Sequence, residues 1–173
     1  MSEEHREDPP LGRESAEPFI LFELAGATYG VRSREVRQVD MIEQITPVPD
    51  SPPYLEGVVF SRGRMIPAVN LRVRFGFERT EFNLRSRLVV VQTGSRIVGL
   101  IVDTAREFAS IVSGSIVPPS EDISGLSGQY LEGIVRLGDR LILILKMEEV
   151  LRLTNTDQAD EHGPSADGDE VLG

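Results

Sequence analysis

Residues 54–59 read YLEGVV, and residues 130–135 read YLEGIV. Without a gap, the stretch from Tyr54 to Phe75 lies over Tyr130 to Leu151, which also matches Arg64 with Arg140 and Ile66 with Ile142. Apolar character is shared at Met65 and Leu141, at Ala68 and Ile144, and at Val69 and Leu145. A second echo lies upstream. Phe19-Ile-Leu-Phe-Glu leads to Tyr29-Gly30-Val31, and Leu88-Val-Val-Val-Gln leads to Val98-Gly99-Leu100. The echoes come in the same order in each half, so the chain is constrained to build one supersecondary pattern twice.

The letters of that pattern are strand letters. Apolar runs rich in Val, Ile and Phe are punctuated by Ala25-Gly26, Arg62-Gly63, Gly94-Ser95 and Gly138-Asp139, pairs that suit tight hairpin turns. Four prolines between Thr46 and Pro53 exclude an interior strand or helix there. The segment from Ser33 to Val39 reads as a short helix, with Ser33 as cap and Val36 and Val39 on one face. Leu71 to Phe75 reads as a single helical turn, and Lys146 to Leu153 as a helix with Met147, Val150 and Leu151 on one stripe. About five short strands per half predict a mainly β fold of two small barrels with short helices, because closure removes exposed strand edges. The halves place the first barrel at about 19–75 and the second at about 88–151. In this scheme the repeated Tyr and Leu fill a barrel end, and Gly sits where backbone approaches closely. The Glu faces solvent or holds a loop.

Charge separates this body from its tails. The net charge is -10, but residues 1–17 carry -4 and residues 155–173 carry -6, leaving 16 acids against 16 bases between them. Both tails are rich in Pro, Gly, Ser, Asp and Glu without apolar periodicity, which predicts disordered, solvating segments at 1–17 and 154–173 around a folded domain at 18–153. The opening MSEEHREDPP lacks the character of a secretory leader. No apolar run approaches the roughly 20 residues that span a bilayer. The absence of cysteine fits a cytoplasmic protein.

The catalytic inventory is thin. The only histidines, His5 and His162, lie in the tails, and there is no Cys. A Ser-His-Asp or Cys-His site and a His-liganded metal are therefore excluded from the folded part. There is no phosphate loop and no dinucleotide fingerprint. The residues predict neither enzyme nor cofactor. One charge cluster stands out, seven arginines from Arg62 to Arg87. It reads as a solvated face, as a surface for an acidic protein, or as the basis of the alternative function, a small-barrel nucleic-acid-binding protein. Aromatic–basic interleaving of the kind that stacks bases is missing.

Together the pieces resemble the CheW family of chemotaxis adaptors. The resemblance rests on Phe19-Ile-Leu-Phe followed by Tyr29-Gly30-Val31, on Glu35-Val36, and on Ile45-Thr46-Pro47-Val48-Pro49. It continues through Leu55-Glu56-Gly57-Val58, Arg62-Gly63, Ile66-Pro67, Asn70-Leu71-Arg72 and Val98 to Asp103, and closes on Tyr130-Leu131-Glu132-Gly133 and Asp139 to Leu143. It implies two five-stranded SH3-like barrels sharing a hydrophobic seam, and no catalysis. It implies a scaffold that couples chemoreceptors to a CheA-type histidine kinase, meeting the membrane only through the receptors and binding no nucleic acid. The receptor's helical tip would dock in a groove marked by Arg62, with Val36, Gln38, Val89 and Val102 as further groove residues. In array-forming relatives the loop before the second YLEG carries an acid followed by an aromatic that packs on the kinase. Here the pair is Glu121-Asp122.

Overall fold

The computed structural model describes residues 15–120 and 126–152. The strands are β1 (Ala16–Leu24), β2 (Ala27–Arg32), β3 (Val36–Met41), β4 (Leu55–Ser61), β5 (Arg64–Asn70), β6 (Arg87–Thr93), β7 (Arg96–Val102), β8 (Thr104–Val112), β9 (Leu131–Leu137) and β10 (Arg140–Leu145). A single turn of helix, α1 (Leu71–Arg74), follows β5, and α2 (147–152) follows β10. The expected fold class holds: the strands form two five-stranded sheets, ordered β8-β1-β2-β10-β9 and β3-β6-β7-β5-β4.

The expected partition at 19–75 and 88–151 does not hold. The second sheet is one continuous stretch of chain from β3 to β7, whereas the first joins β1 and β2 to β8, β9 and β10. Each half has surrendered a hairpin to the other. The exchange is made by the antiparallel ladders of β1 with β8 and β3 with β6 and by two parallel pairings, Thr28–Gly30 against Ile142–Ile144 and Ala68–Asn70 against Gly99–Ile101. A tight turn cannot supply a parallel neighbour, so these partners must come from far along the chain. The domain also starts earlier than 18, because Ala16 pairs with Val112. The remainder of the tail expected at 1–17 and the tail at 154–173 lie outside the described residues.

The apolar runs are continuous because these strands are covered on both faces. In β1, Phe19 and Leu21 enter a core belonging to the first sheet, with Ile111, Val135, Ile142 and Ile144. Ile20, Phe22 and Leu24 point the other way, into a core shared by both sheets. In β6, Leu88 and Val90 fill the second sheet's own core, while Val89 and Val91 join the shared one.

The repeat now has a physical cause. In both copies the ladder slips by one residue at the Glu: Leu55 pairs with Val69 but Gly57 with Ala68, and Leu131 pairs with Leu145 but Gly133 with Ile144. The bulge brings a second backbone against the glycine. Val58 and Thr46 exchange two hydrogen bonds of 2.9 Å, and Ile134 and Val117 exchange bonds of 2.8 and 2.9 Å. A Cβ on Gly57 would fall 2.1 Å from the Thr46 carbonyl oxygen, and one on Gly133 would fall 2.5 Å from that of Val117. These crossings tie the chain leaving edge strands β3 and β8 to the opposite edges, β4 and β9. The bulged glutamates are not idle: Glu132 accepts both terminal nitrogens of Arg32 at 2.8 and 2.7 Å, and Glu56 holds Asn70 and Arg79.

The segment expected to be helical from Ser33 is a 3-10 turn (Ser33–Glu35) running straight into β3. The β-branched Val36 and Val39 fit a pleated edge, and β3 gains a ladder with β6 that an isolated helical turn lacks.

Candidate functional site

The β4–β5 hairpin turns through Arg62 at φ 50° and Gly63 at φ 78°. Two consecutive positive φ values define the two-residue turn whose twist matches paired strands. The equivalent position in the second repeat is Gly138, at φ 59°. Arg62 therefore holds a left-handed conformation that its counterpart fills with glycine, at a cost of roughly 1–2 kcal/mol for a residue with a Cβ. Nothing in the turn repays this. Arg62 is exposed and makes no hydrogen bond or ion pair among the described residues.

Arg62 stands at an open depression of about 650 Å³, shared with Asp40, Met41, Glu43, Phe60 and Ser61. The alternation of β3 half-buries Val36, Gln38 and Asp40 and turns Arg37, Val39 and Met41 outward. Gln38 Nε2 donates to Asp40 Oδ2 at 2.6 Å and to Ser61 Oγ at 2.8 Å. Both amide protons are thus committed, so Gln38 pins β3 to the end of the hairpin that carries Arg62. Beside this polar anchor lies bare hydrocarbon. Phe60 is 72% exposed and Met65, its cross-strand partner, 62%. Met41 is also exposed. Among the described residues, Arg64 on the same hairpin is likewise exposed and without a hydrogen bond or ion pair, so large apolar side chains stand in water beside two uncommitted arginines.

The expected groove residues are only partly brought together. Gln38 reaches the hairpin that carries Arg62 through its bond to Ser61. Val36 lies on the same strand but packs against the shared core. Val89 and Val102 are corrections to the sequence reading: at 0% and 1% exposure they belong to the core between the sheets. A docking helix cannot touch Val89 without parting the sheets, and Val102 lines the floor of a different depression. The odd positions of β6 and the even ones of β7 face the seam, which one strand's pattern does not reveal. Glu121 and Asp122 lie outside the described residues. Phe60, Met65 and Met41 were missed, although a phenylalanine and a methionine flanking an arginine-bearing turn was an available signal.

The arginine cluster is largely spent internally. Arg72 pairs with Asp103, Arg79 with Glu56, and Arg87 donates to the carbonyls of Leu84 and Ser86. The guanidinium carbon of Arg74 lies 4.4 Å from the ring centre of Tyr54 and 5.9 Å from that of Tyr130, so it bridges the two repeat tyrosines. Nothing in this arrangement favours nucleic acid. Among the described residues no group of three or more His, Cys, Asp or Glu is placed to hold a metal ion, and no helix is long and apolar enough to cross a membrane.

A family model, the CheW-like domain, matches residues 18–155. The chain belongs to the CheW-like family. It is 28% identical over 140 residues to Chemotaxis protein CheW of Klebsiella aerogenes, covering 81% of this chain and 84% of that one. It is 31% identical over 134 residues to Chemotaxis protein CheW of Helicobacter pylori, covering 78% and 81%. Among solved structures, the scaffolding protein TtCheW from Thermoanaerobacter tengcongensis superposes with a TM-score of 0.71 at 32% identity, covering 76% of this chain and 89% of that one. The two-sheet architecture is thus that of a CheW-like domain, and the named relatives are chemotaxis and scaffolding proteins.

Proposed function

We propose that this CheW-like chain is a non-catalytic, cytoplasmic coupling protein that joins chemoreceptors to a CheA-type histidine kinase. The observation that carries the reading is Arg62: a strained, uncommitted arginine beside exposed Met41, Phe60 and Met65, on a turn where the other repeat uses glycine. A receptor's helical tip supplies an apolar stripe for Met41 and Phe60 and polar groups for the guanidinium, the usual terms of helix recognition at a surface. The test is titration of the full chain against the cytoplasmic fragment of a chemoreceptor and against the kinase from the same cell. Binding to both, with receptor affinity weakened by Arg62→Ala, supports the reading. Binding to neither, or an Arg62→Ala variant that binds the receptor fragment as the parent does, overturns it.

A further inference from the structure

The described residues include three methionines, and the fold does not place them alike. Met147 is 2% exposed and lies in the core shared by the sheets, whereas Met41 and Met65 are 56% and 62% exposed. Both exposed sulfurs stand at the Arg62 surface. Met41 lines its depression together with Phe60. Met65 is directly opposite Phe60 on the neighbouring strand, where paired residues share a face.

The backbone turns these two side chains outward and does not call for sulfur in them. In β5 the next residue, Ile66, is buried in the second sheet's own core, so alternation turns Met65 to solvent. Ile42, the residue after Met41, packs against the same core. The second repeat has Leu141 at the position of Met65, also exposed, at 61%. Leucine supplies comparable hydrocarbon there. What methionine adds is a thioether open to oxidation. The chain has no cysteine and no tryptophan, which leaves these two thioethers as the most readily oxidised exposed groups among the described residues.

We propose that Met41 and Met65 form a peroxide-modification site that switches the Arg62 surface off. Each sulfur attacks one oxygen of hydrogen peroxide. The O–O bond breaks as the S–O bond forms, the thioether is oxidised to the sulfoxide, and the peroxide is reduced to water. A sulfoxide oxygen accepts hydrogen bonds from water, and an apolar partner that covers it offers none in exchange. Met147 is spared because the core excludes peroxide. The loss of partner binding rests on the receptor-coupling reading, whereas the site of modification does not.

The test treats the full chain with millimolar hydrogen peroxide and maps added oxygen by digestion and mass spectrometry. Met41 and Met65 should be oxidised well before Met147. The oxidised chain should keep its melting temperature, elute earlier from a phenyl column, and bind the cytoplasmic fragment of a chemoreceptor about 5- to 30-fold more weakly. Methionine sulfoxide reductases of both epimer specificities should restore retention and affinity. In the double variant Met41→Leu with Met65→Leu, peroxide should change neither quantity, although Met1 and Met147 remain. Oxidation of Met147 as fast as of the other two, a lowered melting temperature, unaltered retention, or unaltered affinity in a chain that binds the fragment overturns the proposal. If the untreated chain binds no receptor fragment, the coupling reading fails, and the oxidation map and column retention still decide the site.

Discussion

Arg72 meets Asp103 in a two-point hydrogen bond, Nε to Oδ1 at 2.8 Å and Nη2 to Oδ2 at 2.9 Å, and the same Oδ2 accepts the backbone amide of Ala25 at 2.9 Å. Arg72 belongs to α1 of the second sheet's chain, Ala25 to the β1–β2 turn of the first, and Asp103 to the step between β7 and β8 where the chain passes from one sheet to the other. The Asp103 amide closes the clasp by donating to the Glu23 carbonyl at 3.0 Å. Three segments distant in sequence are thus held by one carboxylate.

Asp103→Ala should cost more than Arg72→Ala, because it removes the acceptor for both the guanidinium and the Ala25 amide. We expect about 2–3 kcal/mol for Asp103→Ala and about 1–2 kcal/mol for Arg72→Ala, reduced from the buried case because both side chains are partly exposed. Urea unfolding of both single variants and the double variant measures this. Additive losses would show that the two side chains act independently.

The repeat glycines should be intolerant for two different reasons. Gly133→Ala meets the Val117 backbone and the Ile116 side chain, whereas Gly57→Ala meets the Thr46 and Pro47 backbone and also sits at φ 148°, a region L residues avoid. Both should lose more than about 3 kcal/mol, with Gly57→Ala the worse, whereas Gly138→Ala faces open space and should lose only about 1–2 kcal/mol for its positive φ. Melting temperatures of the three variants give the order. A mild Gly57→Ala would mean that the 46–47 backbone yields easily.

Arg62→Gly should separate stability from binding. Glycine relieves the left-handed strain, so the variant should be more stable by about 1 kcal/mol. Arg62→Ala keeps the strain and should stay within about 0.5 kcal/mol of the parent. Both should weaken binding of a receptor fragment by roughly 10- to 150-fold, the loss of a charged hydrogen bond worth about 1.5–3 kcal/mol. A destabilised Arg62→Gly would assign the arginine a structural role.

Glu35 should leave a pH signature. Burial raises its pKa, an effect strengthened by Glu132 and Glu148 and opposed by Arg32 and Arg34, and its Oε2 has no partner. A carboxyl whose pKa is higher folded than unfolded binds protons more readily in the native state. Its ionisation therefore costs stability at neutral pH. That stability is regained as pH falls through the folded pKa toward the ordinary glutamate value of about 4.3. Glu35→Gln should raise stability at pH 7 and narrow its advantage over the parent as the pH is lowered through that window. Parallel unfolding curves for the two proteins would disprove the assignment.

Much of this molecule is local and was legible in its residues. Alternating and continuous apolar runs mark strands, glycine pairs mark turns, and YLEG names the two places where a backbone must come within contact of another. Arg62 at a turn where Gly138 suffices is likewise a difference visible by laying one repeat over the other. What the residues do not carry is partnership at a distance. Periodicity says that Val89 and Val91 share a face, but not that the first sheet covers that face, so it could not correct the groove role that the family resemblance implied for Val89 and Val102, which lie in the seam. The halves look like two barrels because hairpins are written locally. The ladders of β1 with β8 and β3 with β6 and the parallel pairings of β2 with β10 and β5 with β7 exchange those hairpins, and they are settled only when both sheets close over a common core. The 3-10 turn at Ser33 ends where it does for the same reason. A short segment with a helix cap and β-branched valines takes whichever form gains more, and the ladder offered by β6 outweighs one unsupported helical turn.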